Sequence, residues 1–429
     1  MKIYSENKLT KKERLALLRR PSTLQSDTRR VVQEVCFAIK QRGDAAVREY
    51  NRKFDKAEVK ALRVSTEELA AAKKSLPPKF IDALNRAAKN IRTFHESQLN
   101  TTQRITTMKG IVCWREARPI EWVGLYVPAG SAPLPSTVLM LGIPAVIAGC
   151  SRIVLCSPPT TNGSVDPVVI AAAAMIGIDE VYKVGGAQAI AAMAYGTETI
   201  PKVDKIFGPG NRYVAAAKQF VSTDPEGAAI DLLAGPSEVL ILADEAANPD
   251  VVAYDLLSQA EHDADAQAVL VTTSESLAKT VMRVLPQKAS EFPRNKIIES
   301  SLEHSYIFVA NSLKSAIRFS NDYAPEHLVI NMQNAEAVVP SIMNAGSVFV
   351  GPFSPVTAGD YASGTNHTLP TSGTARWASG VSLDSFLKNI TFQSITKSGL
   401  ESLAPTLTAF ASVEGLQAHA RAVTSRLSK

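Results

Sequence analysis

The sequence lacks the features that mark several large classes of protein. No stretch approaches 18 apolar residues without an interruption by Gly, Pro or a polar residue, which argues against a membrane-spanning helix. The N-terminus has no apolar signal region, so we expect no secretory leader. The four cysteines form no CxxC pair. We therefore expect a cytoplasmic protein with reduced thiols and no membrane partner.

The charge is also unremarkable. Lys and Arg number 46 and Asp and Glu 41, which leaves a net charge of +5 spread along the chain. The densest basic run, residues 11–20, is interrupted by Leu and Ala and is typical of one face of a short helix. A nucleic-acid partner would require a basic stripe, so we expect none, whereas an anionic small molecule remains compatible. With 429 residues, 45% of them hydrophobic, the chain is long enough for two or three globular domains.

The chain begins with segments that are mainly helical. Residues 1–25 predict a short basic helical arm with too few apolar residues to fold alone, which must lie on another surface, a second subunit being one candidate. Residues 26–118 predict several helices and a hairpin at 104–117 around Lys109-Gly110. We expect this helical part to pack with the second of the two α/β units described next.

From Trp122 onward, apolar strands alternate with Ala- and Val-rich helices, which predicts parallel sheets covered on both faces. The predicted fold class is α/β, with two doubly wound, incomplete Rossmann-like parallel-sheet units at 119–235 and 236–380. Small N- and C-terminal helical segments complete it, the latter being a mostly helical tail at 381–429. The predicted strands are 122–127, 152–156, 180–184, 203–207 and 228–233 in the first unit, then 239–243, 267–272, 305–309, 327–330 and 347–350 in the second.

Three glycine-rich turns in the first unit indicate a nucleotide site. They follow predicted strands, cover 126–131, 185–188 and 208–211, and each leads into a helix N-terminus, where free N–H groups favour an anion. In open parallel sheets, ligands bind at the carboxyl ends of the strands. The GxGxxG fingerprint is absent, so the turns do not name the nucleotide.

The second unit and the tail contain the candidate catalytic side chains. Gln259 and His262 are three residues apart on a predicted helix, where they could hold a metal or a substrate, or merely end the helix. Glu326 and His327 are adjacent and supply two proton-transfer groups with different pKa values, although a surface carboxylate beside a strand-end His has the same pattern. Further candidates are Ser237, Asp360 and His367 in the second unit, and Glu414 and His419 in the tail. Spacing alone brings neither Asp360 nor His419 near His262.

Long consecutive segments identify a family. IDLLAGPSEVL, LLSQAEH, NDYAPEHL, AGDYASGTNHTLP, GLYVPAGSAPLPST, VGGAQAIAA and KIFGPGN resemble histidinol dehydrogenase, in order, over nearly the whole chain. The resemblance implies a cytoplasmic homodimer with one Zn²⁺ per subunit. It also implies two sequential NAD-dependent oxidations of L-histidinol, through L-histidinal to L-histidine, the last steps of histidine biosynthesis.

The resemblance also implies roles for individual residues. Glu326 and His327 would transfer protons, and the C-terminal tail would complete the active site of the partner subunit. The implied zinc ligands are Gln259, His262, Asp360 and His419; the implied substrate contacts are Ser237, Gln259, His262, His327, Asp360, Glu414 and His419; the implied NAD contacts are Tyr126, Gln188 and Asn211.

Two other interpretations stay open on the sequence. One is a zinc- and NAD-dependent dehydrogenase of the same family that acts on another small alcohol, such as a sulfonated diol. The other is a non-catalytic nucleotide-binding module, which would have no use for Glu326, His327 and the tail together. A covalent mechanism would need a nucleophilic cysteine, and we expect no thiohemiacetal at Cys113 or Cys150.

Overall fold

The computed structural model describes residues 1–20, 26–99, 101–129, 132–233 and 235–428. The last five residues of the predicted arm and two residues of the first glycine-rich turn, Gly130 and Ser131, lie outside these ranges. The strands are β1 Lys2–Ser5, β2 Arg104–Met108, β3 Ile111–Pro119, β4 Trp122–Tyr126, β5 Arg152–Ser157, β6 Val181–Lys183, β7 Lys205–Phe207, β8 Ala229–Ile230, β9 Glu238–Ala243, β10 Gln267–Thr272, β11 Tyr306–Val309, β12 His327–Asn331, β13 Ser347–Val350 and β14 Leu387–Ile395.

The helices fall into three groups along the chain. Those before the first parallel sheet are α1 Lys11–Leu17, α2 Ser26–Tyr50, α3 Thr66–Ser75 and α4 Pro78–Glu96; those of the first sheet are α5 Pro135–Ala148, α6 Pro167–Met175, α7 Gly186–Tyr195 and α8 Arg212–Thr223; the later ones are α9 Pro249–Ala260, α10 Glu275–Ala289, α11 Asn295–Glu303, α12 Leu313–Tyr323, α13 Ala335–Val338, α14 Val356–Tyr361, α15 Lys397–Val413 and α16 Gln417–Leu427.

The first sheet has five parallel strands in the order β6-β5-β4-β7-β8. The strand order reverses beside β4, so the chain winds outward in both directions from this central strand. Helices α7 and α8 cover one face and α5 and α6 the other, each with its own buried apolar cluster. This arrangement is an incomplete Rossmann-like unit, and the predicted fold class is confirmed.

The helices that precede this sheet pack on it, contrary to the expectation that residues 26–118 pack with the second unit. Val32, Val35 and Ile39 of α2 are buried in one cluster with the alanines of α7. Leu84 and Ile91 of α4 are buried with α5 on the opposite face. Ala-rich helices leave shallow surfaces that larger side chains can cover, and α2 and α4 supply those side chains.

The second sheet has six parallel strands in the order β1-β11-β10-β9-β12-β13. Apart from β1, this order repeats that of the first sheet. Helices α9 to α11 cover one face and α12 and α13 the other. The N-terminal arm is therefore not wholly helical, because residues 2–5 add an edge strand whose Lys2 is in register with Tyr306. The surface that the arm lies on belongs to its own chain.

A third, antiparallel sheet joins the hairpin to the tail. Strands β2 and β3 form the predicted hairpin, and β14 pairs with β3 in the order β14-β3-β2. The predicted helical tail thus begins with a nine-residue strand. After β13, residues 351–380 contain the short helix α14. Among the helices within the described ranges, none is long and apolar enough to cross a membrane.

Candidate active site

Glu326 and His327 lie where α12 returns to the second sheet. Ala324, in the left-handed conformation (φ 51°), ends α12, and His327 is the first residue of β12. His327 is in register with Val239 of β9, so the pair lies beside Glu238 at the amino ends of both strands. This edge is opposite to the carboxyl ends of the strands, where ligands of open parallel sheets usually bind. Both residues are buried, at 5% exposure each.

The backbone of Glu238 holds both members of the pair. The Glu238 N–H donates to Glu326 Oε2 at 2.8 Å, and His327 Nδ1 lies 3.1 Å from the Glu238 carbonyl oxygen. A carbonyl oxygen can only accept, so Nδ1 carries a proton and Nε2 is the nitrogen that can act as a base. His327 Nε2 is buried, has no hydrogen-bond partner among the described residues, and lies 3.7 Å from Asp360 Oδ1.

Burial and charge separate the pKa values of the pair. Burial raises the pKa of Glu326 to about 7, and the neighbouring imidazole opposes this rise. Burial lowers the pKa of His327, but the carboxylates of Glu326 and Asp360 outweigh that effect and raise it to about 9. An acid near neutrality beside a more basic imidazole is suited to proton transfer in both directions, because one group can accept while the other retains its proton.

Asp360 connects this pair to the first sheet. It lies on α14, and although burial opposes ionisation, His327 lowers the pKa of the Asp360 carboxyl below its usual value. His367 Nδ1 donates to the Asp360 carbonyl oxygen at 2.9 Å, and its Nε2 lies 3.3 Å from Thr137 Oγ1, in the first turn of α5. Because α5 follows β4, the carboxyl edge of the first sheet faces the amino edge of the second.

Gln259 and His262 lie at the end of α9. The helix stops at Ala260, so His262 is in the following turn and not on the helix face that the sequence predicts. Gln259 is buried at 2% exposure, and its Nε2 has no hydrogen-bond partner among the described residues. His262 is an exposed residue, but the protein packed around its imidazole lowers its pKa below the usual value, and the nearby Asp360 only partly opposes this shift. Gln259, His262 and Asp360 thus offer an amide, a neutral imidazole and a carboxylate, and His262 and Asp360 lie close enough to shift each other's pKa.

A single chain does not assemble the whole predicted set. Glu414 and His419 are exposed on the tail. The start of α15 is attached to the β2–β3 turn, because the Thr396 N–H donates to the Gly110 carbonyl oxygen at 2.8 Å. Over the described part of the chain, no three His, Cys, Asp or Glu side chains are grouped to hold a metal. The remaining donors are nevertheless those that zinc accepts, namely uncharged His nitrogen and carboxylate oxygen. Ser237 is half-buried and lies immediately before β9.

The predicted nucleotide contacts lie at the carboxyl edge of the first sheet. Tyr126 ends β4, and its hydroxyl oxygen accepts a hydrogen bond from the Gly186 N–H at 3.0 Å, at the start of α7. Gln188 is buried, and Asn211 Oδ1 caps α8 by accepting the Tyr213 N–H at 3.0 Å. The edge thus presents two helix N-termini, the arrangement that favours a phosphate.

A buried ion pair, which sequence spacing did not reveal, stabilises one of these turns. Lys218 donates to Asp231 and to the Gly208 carbonyl oxygen, the latter at 2.9 Å, and Asp231 Oδ2 accepts the Gly208 N–H at 2.8 Å. Gly208 has φ +123°, and a Cβ there would lie 2.1 Å from the Tyr126 carbonyl oxygen. Only glycine permits this close approach of the turn to β4.

A second group missed from the sequence lies beside Gln188. The amide Nε2 of Gln188 donates to Asp55 Oδ2 at 3.1 Å, and burial raises the pKa of Asp55 to about 6. The two residues are 133 positions apart, and Asp55 lies in the turn after α2 with no motif around it. Its partly buried carboxylate could be recognised only once the fold placed α2 against α7.

Comparison with known proteins gives one consistent result. The sequence profile of the family described as histidinol dehydrogenase matches residues 18–427. The histidinol dehydrogenase of Bacteroides fragilis is 51% identical over 96% of this chain and 96% of its own, and that of Vibrio vulnificus is 49% identical over 98% and 97%. The crystal structure of histidinol dehydrogenase from Elizabethkingia anophelis superposes with a TM-score of 0.96 at 50% identity, covering 100% of this chain and 98% of that one.

Proposed function

Because the chain belongs to the histidinol dehydrogenase family, a family of oxidoreductases, we propose that it oxidises L-histidinol to L-histidinal and then to L-histidine, with two NAD⁺ as hydride acceptors. The observation that supports this most directly is the buried pair Glu326 and His327. The backbone of one residue, Glu238, orients both side chains, through its N–H and its carbonyl oxygen, and their pKa values differ. Two consecutive oxidations need two different proton transfers, and the pair offers one group for each.

His327 is proposed as the base of the alcohol oxidation. Its Nε2 would accept the hydroxyl proton of histidinol while the hydride of the same carbon leaves to NAD⁺, giving the aldehyde, NADH and one proton on the imidazole. The free Nε2 and the fixed Nδ1–H support this role, because the ring cannot turn without losing its hydrogen bond to Glu238.

Glu326 is proposed as the base of the second half-reaction. As a carboxylate it would take a proton from water while the water oxygen attacks the aldehyde carbon, which forms the hydrated aldehyde as its monoanion. The carbon then loses its remaining hydride to a second NAD⁺, which gives the carboxylic acid, and the acid releases its proton to solvent to leave the carboxylate of histidine. A pKa of about 7 supports this role, because the carboxylate is then both populated and basic near neutral pH.

Zinc would be held by Gln259, His262 and Asp360 of one subunit and by His419. The amide oxygen of the buried Gln259 can act as a metal ligand, as can the uncharged imidazole of His262. When bound, the ion supplies an anchor that orients the substrate and offsets part of the negative charge of Asp360. Ser237 and Glu414, together with the metal ligands and His327, are proposed to contact the substrate.

The first sheet is proposed as the NAD-binding unit. Tyr126, Gln188 and Asn211 all lie at its carboxyl edge, next to the N-termini of α7 and α8. The second sheet is proposed as the metal and substrate unit. Thr137 and His367 join the two edges, which is where a hydride must cross from substrate to nicotinamide.

A homodimer with shared active sites accounts for the exposed tail. Glu414 and His419 lie beside apolar side chains that face solvent in one chain, such as Phe410 at 66% and Val413 at 90% exposure. Such exposed apolar side chains near His419, the proposed fourth metal ligand, support docking of the tail on a second subunit. The four cysteines are all free thiols, which is compatible with the proposed cytoplasmic location.

One assay tests the proposal. The NADH formed per histidinol supplied would be counted with and without a chelator, and we expect two NADH per substrate, lost on chelation and restored by zinc. One NADH per substrate, or full turnover of an unrelated alcohol in place of histidinol, would contradict it. With the separate substrates, E326Q should slow oxidation of histidinal more than that of histidinol, whereas H327N should slow both. Equal losses in E326Q would refute the division of roles.

A further inference from the structure

Arg20, at the end of the described N-terminal arm, forms a buried network behind the proposed catalytic pair. Its Nε and Nη2 donate to the two carboxylate oxygens of Glu238 at 2.8 and 2.9 Å. Its Nη2 also donates to the Tyr323 carbonyl oxygen at 2.7 Å, and its Nη1 to the Leu18 carbonyl oxygen at 2.8 Å. The side chains of Arg20 and Glu238 are 10% and 1% exposed. A buried bidentate ion pair of this kind fixes the relative orientation of the two side chains as well as the distance between them.

The same guanidinium also stacks on an aromatic ring. Its carbon lies 3.4 Å from the centroid of the Tyr323 ring. The Tyr323 hydroxyl donates to Gln267 Oε1 at 2.7 Å, and the ring is fully buried. Arg20 is therefore held from two sides, and its removal would leave the Glu238 carboxylate buried without its partner.

The two residues that Arg20 contacts lead directly to the catalytic pair. The Glu238 backbone provides the N–H that holds Glu326 and the carbonyl that holds His327. Tyr323 is the last residue of α12, three positions before Glu326. The intervening turn contains Ala324 in the left-handed region, a conformation that alanine adopts only when its surroundings impose it. Arg20 thus joins the two segments whose relative position sets the geometry of the pair.

We infer that Arg20 is a positioning residue for the proposed reaction: its ion pair with Glu238 and its contacts with Tyr323 keep the Glu238 backbone aimed at Glu326 and His327. The inference rests on the proposed function. Arg20 itself touches neither of the two proton-transfer side chains. Its role gives the N-terminal arm a part in catalysis that its sequence, a short basic segment, does not suggest.

The test compares R20M and R20K with R14M. Met matches the length of Arg but has no donor, and Lys keeps the charge but replaces the fork with one point donor. Arg14 is the matched control because it also ties the arm to α12, through Asp322 at 3.1 Å, but at a partly exposed site away from Glu238. Single-turnover rate constants, measured with enzyme in excess over histidinol, do not depend on the fraction of enzyme that is folded.

We expect R20M to lower the single-turnover rate constant on the order of 10- to 100-fold, the loss typical of a misplaced catalytic group. R20K should recover part of the rate, R14M should match the parent, and KM for histidinol and NAD⁺ should stay within about twofold in all three because ground-state binding is untouched. A parental rate in R20M, or an equal loss in R14M, would overturn the inference.

Should R20M fail to fold, R20K decides the question, since a Lys at this position that leaves the rate unchanged would also refute a role for the fork. Failure of the proposed function has a different signature. In that case the parent protein itself would not form two NADH per histidinol, whereas the inference concerns only the ratio of variant to parent.

Discussion

The charge of Glu326 should control the pKa of His327, and Glu326→Gln tests this directly. The carboxylate oxygen Oε2 lies 3.5 Å from His327 Nδ1. At an effective dielectric constant of about 20, Coulomb's law gives roughly 5 kcal/mol for unit charges at that distance, equivalent to about 3 to 4 pH units. Relaxation and charge delocalisation reduce this value. We therefore expect the pKa of His327, now about 9, to fall by at least about 1 unit in E326Q.

The direction of the pKa shift follows from the charges of the two side chains. An anion beside an imidazole favours the imidazolium, so its removal favours the neutral ring and lowers the pKa. Glu326, with a pKa of about 7, is ionised when His327 titrates near 9, so its charge is present during that titration. The acid limb of the pH profile for histidinol oxidation should consequently move to lower pH in E326Q, because the base loses its proton earlier.

Ring-labelled histidine and NMR titration of the chelated protein would measure the shift. The chain has six histidines, so the spectrum is small, and the signal lost in H327N identifies His327. E299Q, which removes an exposed carboxylate of α11, is the control and should leave the signal unchanged. A pKa for His327 in E326Q that is equal to or above that of the parent would refute the electrostatic reasoning.

Three further predictions follow from the site and the core. His262→Asn should lower the zinc content measured by mass spectrometry together with activity, whereas exposed His304→Asn should retain zinc; stoichiometric zinc in H262N would argue against its role as a ligand. Cys150→Ala should leave turnover largely intact, because burial raises the pKa of this thiol to about 11; loss of activity at unchanged stability would contradict a mechanism without thiohemiacetal. Phe386→Ala should lower the free energy of unfolding, measured in urea, by about 3–5 kcal/mol because the residue is fully buried. The control Phe353→Ala, at a residue that is 95% exposed, should change it by less than about 0.5 kcal/mol. Equal effects of the two substitutions would contradict this packing.

Apolar runs were sufficient to predict the two parallel sheets. The run predicted at 239–243 is β9, one residue longer, because a strand buried on both faces must be apolar throughout. Strand β1 was missed because four edge residues, two of them Lys2 and Ser5, leave no such run. Strand β14 was missed because most of its side chains are exposed, so tertiary pairing with β3, and not its own pattern, makes it a strand.

The candidate site was only partly predictable for a similar reason. Because Glu326 and His327 are adjacent in the sequence, they could be predicted together as two proton-transfer groups. Arg20 and Glu238 are 218 positions apart, and no spacing rule relates them. The sequence also did not show that this pair lies at the amino edge of the second sheet, because strand order alone does not say which end of a second unit meets the first.

The short link between the two sheets explains why the amino edge of the second sheet lies next to the carboxyl edge of the first. Strand β8 ends at Ile230 and β9 begins at Glu238, so residues 231–237 must run from the carboxyl edge of one sheet to the amino edge of the next. Seven extended residues span at most about 25 Å, which forces these two edges to be neighbours. The Gly235 N–H is also bound to Thr371 Oγ1 at 2.5 Å. The link therefore acts as a tether that maintains a high effective concentration of the proposed nucleotide site relative to the proposed metal site. Lengthening it should lower that effective concentration without altering the contacts within either sheet.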